Sequence, residues 1–151
     1  MVRILVPVDG SELALGAVHH ALALVREGLS ATLVLVNAQE PASFYELATK
    51  DSDIIAAAAV EAGQDLMAGA VALVQAAGVP YETDVALGEV AATVVDLAED
   101  HGCGLIVIGA QGQGALRGAL LGSVSQAVVQ LSPVPVTIVK HAQLPEPAQD
   151  E

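Results

Sequence analysis

The apolar run Leu105 to Ile108 has the look of a buried parallel strand, and SVSQAVVQL, opened by Ser123, reads as an amphipathic helix. Between them, Gly109 to Gly122 hold five glycines in fourteen residues. Backbone amides in such a stretch are unshielded by side chains. Together with the positive end of the following helix they form a cradle for phosphate. The pattern is not a Walker A loop, because no Gly-Lys-Ser or Gly-Lys-Thr triplet occurs in the chain. Nor is it the dinucleotide fingerprint, whose three glycines stand closer together. It reads Gly109-x2-Gly112-x9-Gly122-Ser123.

Charge constrains how such a cradle can work. Eighteen acids against five bases give a formal net charge of −13, which argues against a general nucleic-acid binder, since that needs a basic face. Arg117 is the only base within the glycine-rich stretch. Phosphate would therefore rest on amides, hydroxyls and a divalent cation, not on a lysine clamp. Other catalytic constellations are missing from the pattern. His19 and His20 are adjacent on a helix and face different directions, His101 sits at a helix end where a cation suits the dipole, and the single cysteine, Cys103, makes neither a disulfide nor a zinc site.

The elements that position the glycine-rich stretch alternate along the chain. Strand candidates are Arg3 to Val8, Ala31 to Asn37, Pro80 to Leu87, Leu105 to Ile108 and Val134 to Lys140. Helix candidates are Ser11 to Glu27, Ile54 to Ala77, Glu89 to Asp100 and the segment after Ser123. This alternation predicts an α/β fold in a single domain of residues 1–140: a parallel sheet, doubly wound, with helices on both faces. An apolar share of 54% with 2% aromatics suits aliphatic helices packed closely on such a sheet. Ligands of these sheets bind at the carboxyl ends of strands, and Asp9, Asn37, Gly88 and the Gly109 loop all fall there. Residues 38–52, with Pro41, Phe44, Tyr45 and Lys50, read as an irregular flap, and the acidic tail 141–151 as disordered. The N-terminus runs straight into a strand without a signal-peptide pattern, and no apolar run reaches the roughly 18 residues of a membrane span. The expected setting is the cytoplasm, with no membrane partner.

The motif and its surroundings resemble the universal stress protein family. The resemblance extends over roughly residues 2 to 140: ILVPVDGSE is similar to that family's first strand and turn, and LLGSVSQAVV with SPVPVTIV to its last helix and strand. It implies a five-stranded sheet of order 3-2-1-4-5 and, as ligand, ATP with a magnesium or manganese ion. By the same resemblance Pro7, Val8 and Asp9 flank the adenosine and the backbone of Val36 meets the adenine. Gly109, Gly112, Gly122 and Ser123 hold ribose and phosphates, and Gln113, Val124 and Ser125 complete the nucleotide-binding set. Two positions depart from the family pattern. Gln111 stands where many relatives carry a basic residue, and Val90 where a Gly-x-Pro turn is common, which leaves the part of Gly88 open.

Plainer roles compete at two positions. Asp9 and Glu12 have capping-box spacing, and Ser123 can cap the last helix. Three functional classes fit the whole: an ATP-binding regulatory homodimer acting by occupancy, a slow ATPase in which Gln113 orients a water, and an interaction module for another adenine nucleotide such as cyclic AMP. The homodimer follows from the edges of the sheet. The third strand is guarded by Glu82 and Asp84, whereas the fifth, Val134 to Lys140, carries no charge before its last residue and calls for a mate.

Overall fold

The computed structural model describes residues 1–40, 52–111 and 121–140. Pro41, Phe44, Tyr45, Lys50, Gly112, Gln113, Arg117 and the tail 141–151 lie outside the described residues. The elements follow the alternation read from the sequence: β1 (Val2–Pro7), α1 (Glu12–Arg26), β2 (Ala31–Gln39), α2 (Ser52–Ala77), β3 (Tyr81–Leu87), α3 (Val90–Asp100), β4 (Leu105–Gly109), α4 (Ser123–Leu131) and β5 (Val136–Val139).

The five strands form one sheet in the order β3-β2-β1-β4-β5, with every neighbouring pair parallel. Alternate strand residues separate two cores. Ile4, Val6, Leu33 and Leu35 face α1 and α2, where Val18, Ala21, Met67, Ala70 and Val74 meet them. Leu5, Val34, Val36 and Ile106 face α3 and α4, against Val94, Leu97, Ala98 and Val128. Burial on both faces explains why these strands read as continuous aliphatic runs. The winding reverses between β1 and β4. There the pairing covers only Ile4 with Leu105 and Leu5 with Ile106, whereas β1 pairs with β2 from Val2 to Pro7.

Most boundaries shift by a residue from the sequence reading, and a few by more. β2 continues two residues past Asn37, because Ala38 and Gln39 keep pairing with Ala86 and Leu87. β5 is shorter, at Val136–Val139, and α2 begins at Ser52. The reading that no apolar run spans a membrane is corrected at one place: by length and composition the Asp53–Ala77 stretch is apolar enough to cross one, with mean hydropathy 1.4, and here Met67, Ala70 and Val74 are buried in the core while most of the stretch is exposed. Gly28 and Gly78, at φ +116° and +69°, end α1 and α2 in the left-handed region that glycine enters without a side-chain clash. Glu82 and Asp84 are not loose edge charges: Glu82 pairs with Arg3 and Asp84 with His101 at 2.8 Å. Arg3 also donates from Nε to the His101 carbonyl at 2.6 Å, satisfying an acceptor at the end of α3.

Candidate functional site

At the carboxyl end of β1 the chain turns through Val8, Asp9 and Gly10, the last at φ +85°. The Val8 N–H donates to the Val36 carbonyl at 2.8 Å, and its own carbonyl accepts from Asn37 Nδ2 at 2.8 Å. Asp9 Oδ1 accepts the Ser11 N–H at 2.9 Å, and Ser11 Oγ accepts the Ala14 N–H at 3.2 Å. The capping-box reading of Asp9 with Glu12 is therefore corrected. Ser11 caps α1, while Asp9 shapes the turn ahead of it.

The two ends of the glycine-rich loop are clasped together. Ala110 is held to the sheet by its N–H, which donates to the Val139 carbonyl at 2.8 Å. The Ala110 carbonyl in turn accepts the Gly122 N–H at 2.7 Å and the Ser125 hydroxyl at 2.7 Å. Ser125, buried and placed by sequence among the nucleotide contacts, thus spends its one proton on the loop. Ser123 is the first helical residue of α4 and not its cap. Gly122 is the cap, with φ −72° and ψ 165° and no side-chain hydrogen bond to the first turn. α4 therefore differs from α1: its N-cap residue is a glycine, which supplies no side-chain hydrogen bond to the opening turn.

The two described glycines of the motif are glycines for different reasons. A Cβ at Gly109 would stand 3.0 Å from the backbone carbon and oxygen of Leu13, so β4 needs a glycine to let α1 approach. A Cβ at Gly122 would meet Ala110 O at 3.4 Å and Gln111 Cα at 3.5 Å, which is ordinary contact. Among the described residues nothing demands a glycine there.

These segments enclose a cavity of about 280 Å³, near the lower end for small-molecule sites. Pro7, Val8 and Asp9 form one wall, Val36 to Ala38 the next, and Gly109, Gln111 and Gly122 to Ser125 the opposite side. Val90, Val94 and Ile108 close its apolar floor. All described members of the sequence-derived set, Pro7, Val8, Asp9, Val36, Gly109, Gly122, Ser123, Val124 and Ser125, are brought together. Gly88 is not among the lining residues, and its loop contributes Val90 instead. The sequence set also omitted Ser11, Asn37 and Ala38, whose signal was only their place next to strand ends, and Ala14 and Val94, which lie within helices and gave no signal. Asp9 is the one ionisable side chain among the described lining residues.

A model described as the universal stress protein family matches residues 1–140. The chain belongs to the universal stress protein family. A universal stress protein of Methanocaldococcus jannaschii is 30% identical over 139 residues, covering 91% of this chain and 81% of its own length. Among solved structures, a universal stress protein in complex with cAMP superposes with a TM-score of 0.69 at 26% identity, over 94% of this chain and 98% of that one. The universal stress protein of Archaeoglobus fulgidus in complex with dAMP gives 0.65 at 26% identity, over 93% and 98%. In this universal stress protein no cluster of three potential metal-ligating side chains exists among the described residues.

Proposed function

We propose that this universal stress protein binds an adenine nucleotide, ATP with magnesium or manganese, and acts by occupancy as a cytoplasmic homodimer. The observation that carries this reading is the turn from Gly122 into α4. It is a helix start whose cap residue is a glycine, one that no described neighbour demands, on the wall of a cavity at the strand carboxyl rim. First-turn amides in that state suit an anion. Pro7, Val8 and Asp9 flank the adenosine. Val36 lies against the base, its carbonyl keeping one lone pair beyond the Val8 N–H. Gly109, Gly112, Gln113, Gly122, Ser123 and Val124 surround ribose and phosphates, and Ser125 holds their loop closed. The cAMP and dAMP complexes of structural relatives support an adenine ligand.

Occupancy is favoured over turnover by the wall chemistry. Phosphoryl transfer is accelerated mainly by positive charge on the transferring group, and the described lining offers no basic side chain. Amides that stabilise bound ATP as well as its transition state give binding without rate. The same shortage of positive charge supports a second reading, a ligand of lower charge such as cyclic AMP. Calorimetry with magnesium-ATP, repeated in competition with cyclic AMP, tests both: one saturable site per chain is expected, and no heat with either nucleotide refutes the proposal.

A further inference from the structure

Asn37 is 3% exposed, and both ends of its amide are engaged. Nδ2 donates to the Val8 carbonyl at 2.8 Å, and Oδ1 accepts from Gln39 Nε2 at 2.7 Å. The orientation is fixed chemically, because the Val8 carbonyl can only accept and the Gln39 nitrogen can only donate. Gln39 Nε2 also reaches the Ala59 carbonyl of α2 at 3.0 Å, and its two hydrogens serve both bonds. α2 lies tight against this point. At Gly63, one turn after Ala59, a Cβ would come within 2.9 Å of Asn37 Oδ1 and 2.8 Å of both Val85 methyls.

A continuous relay thus runs from α2 through Gln39 and Asn37 to Val8, whose N–H is already held by Val36. The geometry points to Asn37 as a positioning residue that couples the docking of α2 to the Val8–Asp9 wall of the nucleotide site. This inference rests on the proposed nucleotide reading. Without the relay, the Val8 carbonyl loses its tether and the turn visits other conformations. A ligand then meets a smaller competent fraction, and its apparent dissociation constant rises by the same factor. Coupling is reciprocal, so a ligand that orders Val8 and Asp9 also steadies α2.

Magnesium-ATP titration and native hydrogen exchange on the wild type, Asn37→Asp and Gln39→Met test this coupling. Asn37→Asp keeps shape and the acceptor for Gln39 but turns a second acceptor on the Val8 carbonyl. Gln39→Met keeps length at a partly exposed position, so its folding is secure, and removes both donations. The expected result is about tenfold weaker binding for Asn37→Asp, about 1.4 kcal/mol, and a severalfold loss for Gln39→Met. Nucleotide should slow exchange across residues 60–67 of the wild type and not of Gln39→Met. A lowered melting midpoint with unchanged affinity and unchanged α2 protection in Gln39→Met would make the relay merely structural and overturn the inference. If Asn37→Asp does not fold, Gln39→Met decides alone. A wild type that binds no nucleotide removes the functional reading, and this one with it.

Discussion

Gly122→Ser should move stability and nucleotide affinity in opposite directions. The backbone at Gly122, φ −72° and ψ 165°, is extended and open to any residue. The nearest described atoms to an added Cβ lie at 3.4, 3.5 and 3.9 Å, so none of them has to shift. A serine there would cap α4 as Ser11 caps α1, whose hydroxyl accepts the Ala14 N–H at 3.2 Å. Serine is better than glycine at such a cap by a few tenths of a kcal/mol, which raises the melting midpoint by about 1 °C in a chain of this size. The same hydroxyl, however, takes amides that a phosphate would use. Hydrogen bonds to charged groups contribute about 1.5–3 kcal/mol, so magnesium-ATP should bind roughly 10- to 150-fold more weakly. Calorimetric titration paired with thermal unfolding reads both effects. Gly109→Ala is the control: its Cβ would press on the Leu13 backbone at 3.0 Å, and overpacking of about 1–3 kcal/mol should lower the midpoint by several degrees. If Gly122→Ser melts several degrees lower, or binds as tightly as the wild type, the separation of the two glycines is wrong.

Ser11→Ala should cost about 1 kcal/mol through the lost cap of α1, or about 2–4 °C in melting midpoint. Light scattering at micromolar concentration should give a dimer mass, with β5 pairing to its mate; a monomer mass counts against it. Single-turnover assays should show hydrolysis of bound ATP slower than about one per second, the low end of typical enzyme rates, and Gln113→Ala should remove whatever rate remains. Burial pushes the Cys103 thiol above its ordinary 9.0, with Arg3 opposing. Its contribution to stability is therefore complete below that value and lost as pH rises through the folded-state value. Alkaline unfolding should be less steep with pH in Cys103→Ala than in the wild type.

The parallel sheet and its both-faced helices were legible because parallel strands buried on two sides must be aliphatic throughout, as Leu33 to Val36 are, while helices recur at their own period; the strand order came from the family resemblance alone. The motif placed Gly109 and Gly122 at one site, but spacing cannot tell a glycine demanded by helix packing from one left open at a cavity wall. That distinction depends on Leu13, nearly a hundred residues away along the chain. Asp9 and Ser11 are equally good caps on paper, and only the turn at Gly10 decides between them. Asn37 read as the end of an apolar strand, because its partners Val8, Gln39 and Ala59 meet only after the sheet forms. The extra length of β2 was hidden for a related reason: Gln39 is polar, yet its backbone stays in the ladder beside Leu87.

The short pairing between β1 and β4 makes the middle of the sheet its thinnest seam. The cavity walls come from both sides of that seam, Val8 and Asp9 from the turn after β1 and Gly109 and Gln111 from the end of β4 and just past it. A nucleotide seated there, as proposed, would bridge the two sides of that seam. At a hundredfold excess over its dissociation constant it adds about 2.7 kcal/mol to the folded state. The survival of the chain against proteases would then follow the cell's supply of that nucleotide, rising when it is plentiful and falling when it is spent.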